Sequence, residues 1–137
     1  YGGLGWRATA EWNKTNSEVL TSEGRSRRDA DGSTARWCLV QGEVDAGKDY
    51  AGAVWLSHPE NFNSPAPLRV WPEDQNGRGD LFVNFAPTKD RDWLLEPGQE
   101  YVLRYRFVVF NGHCRADAAE LVWRNFAKPP VVQVQME

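Results

Sequence analysis

The sequence predicts a mainly β fold, most simply an antiparallel β-sandwich, with one short helix near the C-terminus. Segments in which apolar and polar residues alternate recur along the chain, and turn-forming residues separate them. Only residues 115–128 place their apolar side chains at helical spacing. A chain of 137 residues can build a single hydrophobic core, so residues 1–137 are expected to form one domain.

The first part of the chain contains three predicted strands. Residues 4–12 alternate in polarity, residues 35–44 form the second strand, and residues 50–58 are apolar enough to be buried on both faces. A polar turn at residues 45–48 separates the last two strands. The alternation of the first strand places these side chains on one face: Leu4, Trp6, Ala8, Ala10 and Trp12.

The second part of the chain adds two short strands, one long strand, the helix and a terminal strand. In chain order these elements are residues 67–72, 79–87, 99–112, 115–128 and 131–136. Asn76-Gly77, between the two short strands, is a strong turn signal. Pro129-Pro130 ends the predicted helix, because proline cannot continue a helix.

Composition and charge exclude several classes of protein. The formal net charge is −3 and no segment is strongly basic, which argues against a nucleic-acid partner. Arg25, Arg27 and Arg28 do cluster, but aspartates follow them at once, and this stretch is predicted to be a solvated hairpin loop. No apolar run approaches the ~20 residues that cross a bilayer, so no membrane partner is expected.

The segment 55–72 ends a buried strand at His58 and continues as a proline-rich loop. Proline lowers the entropy that is lost on ordering, so the loop is expected to be ordered. An ordered loop here is expected to present His58 and Asn61 to a cleft. Histidine can act as an acid or a base near neutral pH. No metal, nucleotide or nucleophile motif is present, and no metal or cofactor is expected. Four carboxylates suit either glycoside chemistry or a surface role: Glu60, Asp80, Asp90 and Asp92.

Arginine and aromatic side chains are further candidates for ligand binding. Arg7, Arg104 and Arg106 lie on predicted strands, and a guanidinium that faces inward must be paired or contact a ligand. The alternative for each is an outward, solvated strand face. The seven tryptophans exceed what a small core needs, and surplus aromatics line ligand grooves or interfaces. The alternative is a β-rich core that absorbs them all.

Five segments stand in an order and spacing that resemble a known family. They are YGGLGWRA, ARWCLVQGEV, AGAVWLSHPENFNSPAPLRVWP, GDLFVNFAP and LRYRFVVFNGH. Over roughly residues 1–113 they resemble the C-terminal half of the PmoA-like family of bacterial proteins. The positions that match the motifs of that family are Gly2, Gly3, Arg7, Trp37, His58, Pro59, Asn61, Phe82, Asn84, Tyr105, Arg106 and Gly112.

The resemblance implies one half of a supersandwich similar to that of galactose-mutarotase-like proteins, and hence the C-terminal part of a larger domain. It also implies a saccharide ligand, which suits the residues present, because aromatic faces stack on sugar rings while Arg, Asn and His bind hydroxyls. The candidate catalytic residues are His58 and Arg106. The candidate substrate-binding residues are Arg7, Asn61, Arg69, Trp71 and Asn84.

Two functions remain open on the sequence alone. The first is a sandwich that binds or converts a saccharide, which gains support if His58, Asn84 and Arg106 share one pocket. The second is a non-catalytic structural or interaction domain. In either case the apolar face that carries Trp6 and Trp12 is expected to be covered by a companion N-terminal fragment or by self-association through open strand edges. Trp37 and Trp55 are assigned to the same face.

Overall fold

The structure, a computed structural model, describes residues 2–135. These residues form β1 (Leu4–Arg7), β2 (Ser17–Thr21), β3 (Trp37–Val44), β4 (Asp49–Ser57), β5 (Leu68–Val70), β6 (Phe82–Phe85), β7 (Tyr105–Asn111) and α1 (Ala116–Ala127). The predicted mainly β fold with one helix near the C-terminus is confirmed. Because α1 has only 12 residues, no helix within residues 2–135 is long enough to cross a membrane.

The strands form two antiparallel sheets that pack face to face. The three-stranded sheet has the order β1-β6-β5, and the four-stranded sheet has the order β2-β3-β4-β7. Alternate residues of each strand face the space between the sheets. The main core is built there from these buried side chains: Val19, Cys38, Val40, Trp55, Leu68, Val70, Val83 and Phe85.

Helix α1 forms a third layer on the outer face of the four-stranded sheet. Its residues Ala119 and Phe126 pack against Leu39 and Leu56 in a second apolar cluster. Trp37 belongs to this cluster and is 2% exposed, with its indole Nε1 donating to a carboxylate oxygen of α1 at 2.8 Å. The expectation that Trp37 lies on an exposed apolar face is therefore wrong.

Several strands differ from the prediction, among them the long strand of residues 99–112, which begins only at Tyr105. The first strand ends at Arg7, because the chain turns at residues 10–12, although Trp12 still packs against the core. Strand β2 lies between the first and second predicted strands and was not predicted, because only two of its five residues are apolar. Residues 131–135 of the predicted terminal strand form no strand, and residue 136 lies outside the described residues.

The predicted hairpin loop of residues 24–32 lies in the connection between β2 and β3, and Arg25 and Arg28 are exposed there. The expectation that Arg27 is solvated as well is wrong. Arg27 is 4% exposed, and its guanidinium donates to four backbone carbonyl oxygens. These belong to Trp71, Pro72, Gly79 and Asp80, at 3.4, 2.9, 2.9 and 2.9 Å. Burial lowers the pKa of this guanidinium, and nearby carboxylates act in the opposite direction. Arg27 thus fixes both ends of the connection between β5 and β6.

Replacing Arg27 with methionine is expected to lower the free energy of unfolding by about 2–4 kcal/mol, because the substitution leaves buried carbonyl groups without a donor. Urea denaturation monitored by tryptophan fluorescence measures this change. Arg28→Met is the matched control, since Arg28 is exposed and its side chain pairs with Glu73 at the surface. That variant should lose less than about 1 kcal/mol. Equal losses in the two variants would contradict the structural role of Arg27.

Candidate binding surfaces

Four of the seven predicted site residues lie on the outer face of the three-stranded sheet. Arg7 of β1, Arg69 of β5 and Asn84 of β6 alternate along their strands with residues of the core. The strand register aligns Asn84 with both Gly5 and Arg69. Trp71 follows β5, and its backbone N–H donates to the carbonyl of Phe82 at 3.0 Å.

These side chains and Phe82 form one group, the outer-sheet cluster: Arg7, Arg69, Trp71, Phe82 and Asn84. The Cζ atom of Arg7 lies 4.5 Å from the centre of the Trp71 ring, and the Trp71 and Phe82 rings lie 5.2 Å apart. Within residues 2–135, Arg7 makes no ion pair, whereas Arg69 pairs with Asp31 at 3.3 Å. The Oδ1 atom of Asn84 is buried and has no hydrogen-bond partner in this part of the chain.

Sequence reasoning did not include Phe82 among the binding residues. The signal was present, because Phe82 and Asn84 are two residues apart in one strand and therefore share a face.

The two predicted catalytic residues lie elsewhere. Arg106 is on β7 opposite Leu56, and its Cζ atom is 4.8 Å from the ring centre of Phe126 in α1. The His58 ring contacts the same phenyl ring edge-on at 5.2 Å, and its Nδ1 atom accepts the backbone N–H of Glu60 at 3.2 Å. Both residues therefore lie on the helix side of the four-stranded sheet. His58, Asn84 and Arg106 do not share a pocket, and the catalytic roles stay a prediction.

Asn61 is buried, and its amide group is used within the fold. Its Nδ2 donates to the carbonyl of Arg104 at 2.8 Å and to the hydroxyl of Ser57 at 3.1 Å. Its Oδ1 accepts the Arg104 backbone N–H at 2.7 Å. The expectation that the loop presents Asn61 to a cleft is therefore wrong. The physical reason is that the backbone just before β7 needs a hydrogen-bond partner, and Asn61 supplies it.

A groove of about 540 Å³ opens between the two sheets on the side of β1 and β7. Its lining is almost entirely apolar and includes Trp6, Trp12, Trp55, Phe107 and Val109. Phe107 is 45% exposed and Val109 is 78% exposed, which is unusual for apolar residues on the inner face of a sandwich. The two sheets thus cover Tyr105 but leave the inner face of β7 open at Phe107 and Val109.

The outer edge of β7 is also free. Gly112 N–H donates to the Tyr50 carbonyl and His58 N–H donates to the Arg104 carbonyl, so the even-numbered residues of β7 hydrogen-bond to β4. The odd-numbered residues direct their backbone groups away from β4, and within residues 2–135 no strand pairs with them. Phe107 and Val109 therefore combine free backbone groups with exposed apolar side chains.

The described residues bring no cluster of potential metal ligands together, and burial changes the pKa of two side chains. Among them, no three His, Cys, Asp or Glu side chains lie together as metal ligands would. Burial raises the pKa of the Cys38 thiol to about 12 and that of the Tyr105 hydroxyl to about 12. Both groups are therefore protonated at neutral pH.

Together these features define an antiparallel β-sandwich with one helix on the outer face of its larger sheet. The family model described as "Family of unknown function (DUF6807)" matches residues 1–124, and the chain belongs to this family. The resemblance to the PmoA-like family is therefore wrong. The expectation of half a supersandwich depended on that resemblance and loses its basis with it. The companion N-terminal fragment, which was also expected from the apolar face of the first strand, stays a prediction. No curated protein and no solved structure matches the chain.

Asn61→Ala is expected to lower the free energy of unfolding by about 2 kcal/mol, because it removes the partner of the Arg104 N–H and the two hydrogen bonds that Asn61 Nδ2 donates. Asn125→Ala is the control, since Asn125 is exposed on α1 and alanine favours a helix. Chemical denaturation of both variants measures the difference. A loss in Asn61→Ala no larger than that in Asn125→Ala would contradict the structural assignment of Asn61.

Proposed function

We propose that the chain is an interaction domain that accepts an extended polypeptide strand on the free edge of β7. One observation carries the proposal: the residues with free backbone groups also have exposed apolar side chains beside the groove. Natural edge strands are usually protected by inward charges, prolines or bulges. The inner-face residues Tyr105, Phe107 and Val109 of β7 include no charge and no proline. An edge of this kind is suited to a partner strand.

Strand addition has a clear source of free energy at this edge. Each backbone hydrogen bond contributes about 0.5–1.5 kcal/mol, and covering an exposed valine side chain contributes about 1.5–3 kcal/mol. The groove gives alternate side chains of the added strand an apolar surface to contact. Main-chain pairing supplies affinity and the groove supplies selectivity, as in other cases of strand addition. The partner expected here is an extended segment with apolar residues at every second position.

Hydrogen exchange with a synthetic peptide of alternating valine and threonine tests this function. The peptide should slow exchange at the amides of Phe107 and Val109 by about tenfold or more, because each gains a hydrogen bond. The amides of Val108 and Phe110 bond to β4 and serve as internal controls.

Val109→Pro should abolish the effect of the peptide. Proline removes an N–H that points away from β4, so the existing ladder is kept. Circular dichroism verifies that the variant folds. If the peptide slows no amide of β7 in a chain whose Phe107 and Val109 amides are unprotected without it, the edge does not accept strands and the proposal fails.

A second candidate function is saccharide binding by the outer-sheet cluster. It is favoured by the Arg7 and Trp71 side chains, which lie together on the outer face of the three-stranded sheet. Aromatic faces bind the C–H surface of sugars, and a guanidinium donates hydrogen bonds to their oxygen atoms. Arg7 makes no ion pair within residues 2–135 and is available to a carboxylate. This favours a saccharide that contains uronic acid.

A glycan array followed by calorimetric titration tests the second candidate. Trp71→Ala should weaken binding of an array-selected saccharide by about tenfold or more, since an aromatic contact is lost. Trp93→Ala is the matched control, because Trp93 stacks on Phe62 at 4.5 Å, outside the outer-sheet cluster. Arg7→Met should weaken binding of uronate-containing saccharides more than that of neutral ones. Equal affinity of the two tryptophan variants would refute this site, as would an array without any bound glycan.

A further inference from the structure

Residues 131–135 have the sequence of a strand but belong to no sheet in the described structure. Val132 and Val134 alternate with Gln133 and Gln135, which is the pattern of a half-buried strand. Val132 is 78% exposed and Val134 is 82% exposed. The preceding helix α1 is well packed, so this exposure is confined to the segment that follows it. The chain therefore carries a strand-like segment without a sheet, together with a sheet edge without a strand.

We propose that residues 131–135 of one copy pair with the β7 edge of a second copy. This inference rests on the proposed strand-accepting function and names the partner. In the pair, Val132 and Val134 face the groove beside Phe107 and Val109, while the two glutamines lie on the helix side of the sheet. The apolar inner face then continues across the new strand.

The charges permit this pairing. Residues 131–135 carry no charged side chain, and neither does the inner face of β7. The arginines of this region, Arg104 and Arg106, lie on the alternate positions, whose side chains point to the helix side. The added strand therefore brings no like charges together on the buried face. Helix α1 packs mainly over β3 and β4, which leaves the outer edge of β7 accessible.

The exposed segment 131–135 and the free edge of β7 both indicate that the partner is a second copy of the chain. The segment of the same copy lies unpaired and exposed, although it follows directly on α1. If two copies exchange their segments, each β7 edge gains a strand and each segment gains a sheet. The contact is then the same in both directions, so the assembly closes as a dimer with two-fold symmetry. One exchange covers the exposed apolar side chains of the segment and of the edge together.

Paired substitutions on the two faces of the segment test the proposal. The wild-type chain is expected to sediment as a dimer, with slow amide exchange at Phe107 and Val109. The variant Val132→Lys/Val134→Lys should sediment as a monomer and exchange these amides about tenfold faster or more, because charges cannot enter the groove. The matched control Gln133→Lys/Gln135→Lys adds the same charges on the outer face and should remain a dimer.

Each alternative result has a definite meaning. A monomeric wild-type chain overturns the proposal, and slow exchange in that monomer would indicate that the segment pairs with its own β7. A dimer that survives Val132→Lys/Val134→Lys overturns it as well. In either case the peptide experiment reports separately on the proposed function. If the peptide still protects Phe107 and Val109, the edge accepts strands, and only the identification of the partner as a second copy is wrong. If the peptide fails too, both proposals fall.

Discussion

The buried Arg27 guanidinium is the interaction on which the three-stranded sheet depends. Its hydrogen bonds hold the carbonyl groups of residues 71, 72, 79 and 80, which lie at the two ends of the connection between β5 and β6. Only arginine carries five donors in a fixed planar arrangement, so a lysine could not reach four carbonyls at once. Because Trp71 is one of the residues held, the same interaction places the aromatic centre of the outer-sheet cluster.

The open side of the sandwich follows from an unequal number of strands. Four strands in one sheet face three in the other, and β1 at the edge of the smaller sheet has only four residues. The outer face of the larger sheet is covered by α1, which packs over β3 and β4. Its inner face is covered only as far as β1 reaches. The uncovered strip therefore falls on β7, and the groove and the free edge are two consequences of one mismatch.

The sequence predicted elements whose side-chain pattern is long and regular. Strands β3, β4 and β7 and helix α1 were found because alternation or helical spacing extends over many residues. Strand β2 was missed, because it is short and depends on β3 for its pairing. The predicted site residues lie on separate surfaces for a different reason. Alternation shows which residues of a strand share a face, but not which sheet the strand joins, so Asn84 and Arg106 could not be placed relative to each other.

Strand pairing and saccharide binding would use separate surfaces and can coexist. A strand added at β7 widens the four-stranded sheet, whereas the outer-sheet cluster lies on the far face of the three-stranded sheet. A dimer formed through β7 would therefore leave both copies of the cluster uncovered. Binding of one sugar on an open sheet face is weak, because few of its hydroxyl groups leave water. Two such faces on one assembly would bind a polymeric saccharide more tightly than either face alone, provided that the polymer spans both.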